Sequence, residues 1–144
     1  MDRKLCVLVI GASGFVGKHL VKQLRSRFGG ATQIVATNKD AELCPEIGAV
    51  QALDVTDDRA VEDAISSTQP THVVHLSGMS APSDADADPR TAWTVNTLGT
   101  LSVTEAILRR APDACLVFAS TGLVYGGAAT SERPFTEDMP LAPC

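Results

Sequence analysis

The sequence predicts an α/β protein built on a Rossmann-type doubly wound parallel sheet. Short apolar runs alternate with segments of helical periodicity, and a glycine-rich turn follows the first run directly. Strands that alternate with helices pair in parallel through right-handed crossovers. The 144 residues, 44% of them hydrophobic and 20% charged, have the size and composition of one globular domain. We therefore expect five strands in the spatial order 3-2-1-4-5.

The strands are predicted from apolar runs rich in Val and Ile. The first, residues 5–10, is apolar without interruption, which is typical of a strand buried on both faces of a sheet. Cys6 in this run and Cys115 in the last run are expected to be small core residues. The five predicted strands are residues 5–10, 33–37, 49–53, 71–77 and 114–120.

Three helices are predicted between these strands. Residues 15–28 and 90–110 each carry apolar or small side chains about four positions apart, which indicates one buried stripe per helix. Thr56 is expected to cap the remaining helix, residues 56–66. The stripe of the first helix is Val16, Leu20, Leu24 and Phe28. The stripe of the helix at 90–110 is Val95, Leu98, Ser102 and Ala106. Residues 78–89 and 126–144 have the composition of loops.

The charge balance disfavours a nucleic-acid partner. Twelve Lys and Arg against seventeen Asp and Glu leave a net charge of −5, whereas nucleic-acid-binding domains are usually basic. Residues 1–39 hold seven Lys or Arg and one acid, which suits a local phosphate site, although solvated helix charge explains it equally well. No apolar run reaches the roughly 18 residues of a membrane span, so no membrane association is expected.

The cysteines and histidines do not form a metal site in this interpretation. Four scattered cysteines without a C-x-x-C pair fit a reducing, cytoplasmic setting. His72 and His75 lie three positions apart on a predicted strand and therefore on opposite faces. We expect them to be core or strand-end histidines and expect no metal.

The glycine-rich turn is the first functional signal. It reads Gly11-Ala12-Ser13-Gly14-Phe15-Val16-Gly17 and stands between a predicted strand and a predicted helix. Glycine allows a tight turn and lets a pyrophosphate approach the backbone, while the helix N-terminus offers free N–H groups. A Walker A loop is excluded because no Gly-Lys-Ser/Thr ends the motif. The turn therefore predicts a dinucleotide site.

The residues after the second strand bear on the choice between NAD and NADP. An NAD enzyme usually has an acid there that binds the ribose 2′-hydroxyl. This chain has Thr37, Asn38 and Lys39 at that place, and Lys39 could meet a 2′-phosphate. The pattern leans to NADP, while Asp40 leaves NAD open.

Five segments in this order resemble the extended short-chain dehydrogenases/reductases, the NAD(P)-dependent epimerase/dehydratase group. They are Gly11 to Gly17; Asp54-Val55; Val74-His75-Leu76-Ser77-Gly78; Asn96-Thr97-Leu98-Gly99-Thr100; and Val117-Phe118-Ala119-Ser120-Thr121-Gly122-Leu123-Val124-Tyr125-Gly126. The last segment is especially similar to that of nucleotide-sugar epimerases, dehydratases and 4-ketoreductases.

The resemblance implies roles for particular residues. Thr121 aligns with the family's catalytic Ser/Thr, which hydrogen-bonds the sugar oxygen that gains or loses hydride. Asp54 and Val55 would hold the adenine. Asn96, inside the long helix, would lie behind the cofactor. The full set of implied or candidate cofactor-binding residues is Gly11, Ser13, Gly14, Phe15, Val16, Gly17, Thr37, Asn38, Lys39, Asp54, Val55, Leu76, Ser77, Gly78, Asn96, Ala119 and Ser120.

The Tyr-x-x-x-Lys pair that serves as general base in this family is absent. The one tyrosine, Tyr125, is followed four residues later by Ala129, and the last lysine is Lys39. We therefore expect residues 1–125 to form an NAD(P)-binding domain, incomplete at the C-terminus, and residues 126–144 to lead to a missing catalytic and substrate portion. The chain alone is expected to be inactive.

The resemblance implies that the parent protein is an NAD(P)-dependent enzyme acting on a nucleotide-linked sugar by hydride transfer. The alternative is a non-catalytic NAD(P)-binding sensor or regulatory module. A homodimer through the helix at 90–110 is a further expectation, because relatives often dimerise through that helix.

Overall fold

A computed structural model describes residues 4–130 and 134–143. It contains six strands and five α-helices within these ranges. The strands are β1 (Cys6–Ile10), β2 (Gln33–Asn38), β3 (Glu42–Cys44), β4 (Gly48–Ala52), β5 (His72–His75) and β6 (Cys115–Phe118). The helices are α1 (Phe15–Phe28), α2 (Asp58–Thr68), α3 (Pro82–Ala87), α4 (Pro89–Trp93) and α5 (Gly99–Arg110).

The six strands form one sheet in the order β3-β4-β2-β1-β5-β6. All pairs are parallel except β3 with β4, which is antiparallel. The five predicted strands therefore pair in the predicted order 3-2-1-4-5, and the predicted fold class is confirmed. The sequence analysis missed β3, a three-residue edge strand too short to show a period.

The core lies on both faces of the sheet, as a doubly wound architecture requires. Val7, Val9 and Val21 belong to the cluster under α1. Leu8 and Val73 belong to the cluster on the other face, together with buried residues of α2 and α5. β1 alternates between the two clusters because successive side chains of a strand point to opposite faces.

The register places four strand ends at one edge of the sheet. Ile10 is paired with Thr37 on one side and with His75 on the other, and His75 is paired with Phe118. The residues that follow these four strands therefore meet at the carboxyl edge. In open α/β sheets this edge is where ligands bind.

The predicted helix at 90–110 consists of three pieces rather than one. α4 and α5 are joined by a π-helical turn, Thr94–Leu98, which contains Asn96. Thr94 Oγ1 donates to Arg90 O at 2.8 Å, and Thr100 Oγ1 donates to Asn96 O at 2.7 Å. Such back-bonding by Thr disturbs regular helical geometry. The wider turn also changes the direction in which the following side chains point. Leu98, predicted in the buried stripe, is 48% exposed.

Other sequence predictions also need correction. The residues that α1 buries fully are Gly17 and Val21. Leu20 and Leu24 of the predicted stripe are half-buried against the core, whereas Val16 and Phe28 are 59% and 41% exposed. Asp57 caps α2 in place of Thr56, since its carboxylate accepts from the N–H groups of Arg59 and Ala60.

Two predicted loops contain short helices. α3 lies within residues 78–89, and 3-10 turns cover Gly122–Thr130.

Cys115, predicted as a core residue, is exposed because β6 is an edge strand of the described part of the chain. Cys6 is buried as predicted.

Candidate functional site

A cleft of about 760 Å³ lies at the carboxyl edge, where β1, β5 and β6 end. β5 and β6 are shorter than predicted, and the residues that follow them line the cleft: Leu76, Ser77, Ala119 and Ser120. Leu76 N and Ala119 N still donate to the neighbouring strands, at Ile10 O and His75 O. The sequence-predicted residues that line it are Gly11, Gly14, Phe15, Val16, Gly17, Leu76, Ser77, Gly78, Asn96, Ala119, Ser120 and Thr121.

The glycine-rich turn is held against the strands by its own backbone. Gly11 N and Ala12 N both donate to Thr37 O, at 2.9 and 2.8 Å. Gly11 has a φ of +85°, a conformation that favours glycine. A Cβ on Gly17 would lie 2.6 Å from Ala12 O, so only glycine lets α1 approach the turn this closely.

The first turn of α1 presents free N–H groups to this cleft. The first intrahelical bond is donated by Lys18 N to Gly14 O, which leaves the N–H groups of Phe15, Val16 and Gly17 without helical acceptors. No side chain caps the helix, and its first turn contains no acid. Together with the positive end of the helix dipole, these N–H groups suit an anion such as a pyrophosphate.

Asn96 holds the loop that follows β5. Its Oδ1 accepts from Met79 N at 2.7 Å, and its Nδ2 donates to Met79 O at 3.1 Å. Both ends of the amide are therefore used on one residue of the backbone. This fixes the course of Gly78 and Met79 along the cleft wall.

Thr121 lies on the rim of the cleft, exposed, beyond the end of β6. Its Oγ1 accepts from Leu123 N at 3.2 Å. That bond uses a lone pair of the hydroxyl and leaves its proton free to donate to a ligand. The neighbouring segment is held by Ala142 N, which donates to Val124 O at 2.8 Å, and by Tyr125 stacked on Phe135 at 4.9 Å.

A second cleft, of about 330 Å³, lies beyond β2 and β4 and shares Ser77 with the larger one. Lys39, Asp54 and Val55, three of the candidate cofactor residues, line it. Asp54 Oδ1 accepts from Thr56 N at 2.9 Å and from Thr56 Oγ1 at 2.7 Å, and these bonds hold the pKa of the carboxyl below its usual value. Lys39 Nζ lies 3.8 Å from Asp54 Oδ2.

Three of the candidate cofactor residues line neither cleft. Thr37 is buried, and its Oγ1 donates to Val9 O at 3.2 Å, so its hydroxyl points into the fold rather than toward a ribose. Asn38 supports the neighbouring strand, since its carbonyl accepts from Leu53 N at 2.6 Å. Ser13 also lies outside both linings.

The sequence analysis missed two groups of lining residues. Arg90 and Thr91 line the smaller cleft, and residues 79–82 with Ala85 and Asp86 line the larger one. Both groups follow β5 in the chain. Because residues that follow a central strand lie near the carboxyl edge of the sheet, this position could have predicted that they line a cleft. The sequence analysis interpreted residues 78–89 only as a loop because of their polar composition.

The residues that the structure describes contain no cluster of three or more His, Cys, Asp or Glu able to hold a metal ion. Within the same ranges, no helix is both long and apolar enough to cross a membrane.

Residues 7–144 match the model of the NAD dependent epimerase/dehydratase family. A curated relative, UDP-glucose 4-epimerase GEPI48 from Cyamopsis tetragonoloba, is 32% identical over 151 residues, which cover 94% of this chain and 41% of that protein. The chain thus spans about two fifths of the length of this relative.

Two solved structures resemble the fold closely. UDP-glucose 4-epimerase from Thermus thermophilus, in complex with NAD, superposes with a TM-score of 0.81 and 33% identity, over 96% of this chain and 45% of that one. dTDP-4-dehydrorhamnose reductase from Bacillus anthracis, in complex with NADP, gives a TM-score of 0.75 and 25% identity, over 99% of this chain and 45% of that one.

Proposed function

This chain belongs to the NAD-dependent epimerase/dehydratase family, and we propose that it is the cofactor-binding part of an enzyme that acts on a nucleotide-linked sugar. The reaction would be hydride transfer at a sugar carbon, as in an epimerase, a dehydratase or a 4-keto reductase. The observation that carries the proposal is the convergence of the uncapped α1 N-terminus and the ends of β1, β5 and β6 on one cleft. The similarity to NAD- and NADP-bound relatives supports it.

The chain's own residues fit a dinucleotide. The free N–H groups of Phe15, Val16 and Gly17 would bind the pyrophosphate, since no acid or capping side chain competes there. Asp54 and Val55 would hold the adenine in the smaller cleft. Leu76, Ser77 and Gly78, with Ala119 and Ser120, would line the nicotinamide side of the larger cleft. When bound, the nicotinamide would supply or accept the hydride.

We propose different duties for two of the three candidate residues that line neither cleft. Thr37 would position the glycine-rich turn, because its carbonyl accepts from both Gly11 and Ala12. Asn38 would position β4 through its carbonyl bond to Leu53.

Lys39 favours NADP over NAD in this proposal. Its ammonium lies at the smaller cleft, next to Asp54, and it is 74% exposed there. An exposed cation at this place suits the 2′-phosphate that distinguishes NADP. Asp40 is also exposed but lines neither cleft.

Thr121 is proposed as the catalytic hydroxyl. Its free proton would hydrogen-bond the sugar oxygen at the carbon where hydride is exchanged. The sequence lacks a Tyr-x-x-x-Lys pair. In the proposal that pair belongs to the protein beyond residues 126–144, which would lead from the NAD(P)-binding domain to the substrate portion.

The test is Thr121→Val against Thr121→Ser in the protein at its natural length. Loss of the hydroxyl should lower kcat by about 10²-fold or more, the size expected for a lost transition-state donor. The Kd for NAD(P)H should stay within about twofold, and Thr121→Ser should keep most of the activity. Steady-state kinetics with nucleotide-sugar substrates and nicotinamide fluorescence measure the two quantities.

The controls are Thr136→Val and the isolated 144-residue chain. Thr136 donates to Asp138 outside both clefts, so its replacement should leave kcat unchanged. The isolated chain should turn over nothing. Unchanged kcat in Thr121→Val, or sustained turnover by the isolated chain, would contradict the assignment.

The alternative function is a non-catalytic NAD(P)-binding sensor or regulatory module. The sequence beyond residue 144 discriminates between the two: a Tyr-x-x-x-Lys pair there would favour the enzyme, and its loss would favour the sensor. The discriminating result is cofactor binding by the protein at natural length without turnover of any nucleotide-linked sugar.

A further inference from the structure

The smaller cleft contains a second cation that the proposed function does not use. Arg90, the second residue of α4, lines this cleft together with Lys39 and Asp54. Lys39 follows β2 and Arg90 follows the loop after β5, so the two cations reach the cleft from different elements.

The charge in this cleft is unbalanced. Asp54 is the one acid among its lining residues, and it is already engaged by Thr56 and by Lys39. Within the described ranges, the guanidinium of Arg90 has no ion pair. Two cations and one acid leave the lining with a net charge of +1 in a protein of net charge −5.

The larger cleft has the opposite character. Asp86 is the charged residue in its lining, and neither Lys nor Arg is among the lining residues. An anion there would depend on the backbone N–H groups of α1. The side-chain cations are therefore concentrated at the other end of the site, where a different anionic group would have to bind.

We propose that Arg90 is a specificity-determining residue that binds the 2′-phosphate of NADP together with Lys39. This inference rests on the proposed function, because it takes the smaller cleft as the adenosine side of the cofactor site. A guanidinium has a planar fork of donors that can bind two phosphate oxygens at once. The lysine is a point charge on a flexible stem and would follow the phosphate. The ribose 2′-hydroxyl of NAD offers Arg90 no charge to pair with.

The experiment compares Arg90→Gln with Arg59→Gln in the protein at its natural length. Arg59 is an exposed arginine on α2, paired with Asp63, and lies outside both clefts. Nicotinamide fluorescence gives the Kd for NADPH and for NADH. Competition by adenosine 2′,5′-bisphosphate and by 5′-AMP repeats the comparison without a nicotinamide. Thermal unfolding confirms that each variant is folded.

We expect the unsubstituted protein to bind NADPH more tightly than NADH. Arg90→Gln should raise the Kd for NADPH by about 10-fold or more and the Kd for NADH by less than about twofold, since charge-assisted bonds to phosphate are stronger than neutral ones. Adenosine 2′,5′-bisphosphate should follow NADPH, and 5′-AMP should follow NADH. Arg59→Gln should change none of the four values.

Several results would overturn the inference. An equal loss of affinity for NADPH and NADH in Arg90→Gln would mean that Arg90 stacks on the adenine. Unchanged affinity for both would mean that Arg90 contacts neither cofactor. Tighter binding of NADH by the unsubstituted protein would overturn the 2′-phosphate site and leave the proposed function standing. If neither cofactor bound the folded protein, the proposed function would fall as well.

Discussion

His75 is a buried histidine whose protonation state follows from its neighbours. Thr100 Oγ1 donates its one proton to Asn96 O, so the 3.2 Å contact between Thr100 Oγ1 and His75 Nε2 requires the hydrogen on Nε2. Within the described ranges Nδ1 has no hydrogen-bond partner. Burial without a counter-charge lowers the pKa of His75 below its ordinary value of 6.5. The ring is therefore neutral and links β5 to the start of α5.

This shift predicts a loss of stability in mild acid. Because the unfolded chain binds a proton near pH 6.5 and the folded chain binds it only at lower pH, the free energy of unfolding should fall as pH decreases below about 6.5. The slope can reach at most about 1.4 kcal/mol per pH unit for one group. Urea denaturation at pH 7.5, 6.5, 5.5 and 5.0 measures it.

Two variants identify His75 as the source. His75→Gln keeps an N–H donor for Thr100 but removes the titration, so its curve should be flatter between pH 6.5 and 5. His19→Gln, at an exposed position on α1, should keep the slope. The carboxyls with lowered pKa, such as Glu46 at about 2, lose their contribution only below about pH 4.5. If the free energy of unfolding of His75→Gln fell with decreasing pH as steeply as that of the unsubstituted protein, the assignment to His75 would be refuted.

At the scale of elements, close packing of α1 against the glycine-rich turn decides where the helix points. Gly17 brings the first turn of α1 onto Ala12, and Val21 is then fully buried under the sheet. Val16 is directed to the larger cleft instead of the core. Periodicity predicted a helix here correctly, and Leu20 and Leu24 of the expected stripe pack against the core. Val16 does not, because contact with the turn sets the rotation of the first helical turn.

Gly17→Ala should therefore damage both packing and cofactor binding. A Cβ at this position would lie 2.6 Å from Ala12 O, and overpacking of this kind typically costs about 1–3 kcal/mol. We expect a lower melting temperature and an NAD(P)H Kd raised about tenfold, because the turn must move to make room.

The matched control is Gly30→Ala. A Cβ there would meet nothing within 4 Å, so the free energy of unfolding should change by no more than about 0.5 kcal/mol. Differential scanning fluorimetry and nicotinamide fluorescence distinguish the two variants. Equal melting temperatures for both would show that the turn tolerates a Cβ.

At the scale of the whole molecule, Leu98 of the π-helical turn and two leucines of α5 are exposed to solvent. Leu98, Leu101 and Leu108 are 48%, 52% and 67% exposed, while Val103 and Ile107 on the other side are buried. Exposed apolar patches of this kind commonly mark protein interfaces. We propose that this face forms a homodimer in the protein at natural length.

Leu101→Asp should weaken the dimer, because it replaces an exposed leucine of this face by a charge. Sedimentation velocity across a concentration series should show the midpoint of dissociation raised by about tenfold or more. Leu43→Asp, which changes an exposed leucine on the edge strand β3, is the control and should leave the midpoint unchanged. A monomeric unsubstituted protein would refute the proposed dimer.

The sequence by itself determined the fold class, the order of five strands and the glycine-rich turn. Those features depend on local patterns: apolar runs, helical periodicity and glycine spacing. It also selected most of the residues that line the larger cleft, because residues that follow parallel strands must meet at one edge.

Only the tertiary structure decided which way the side chains point and which distant elements complete the site. Thr37 was expected at the ribose, yet its hydroxyl is bonded to Val9 O in the core, because pairing with Ile10 turns it inward. Arg90 joins Lys39 at one cleft although the two residues lie far apart in the sequence. Rotation of a helix and contact across a sheet arise from packing between elements, and no local pattern in the sequence encodes them.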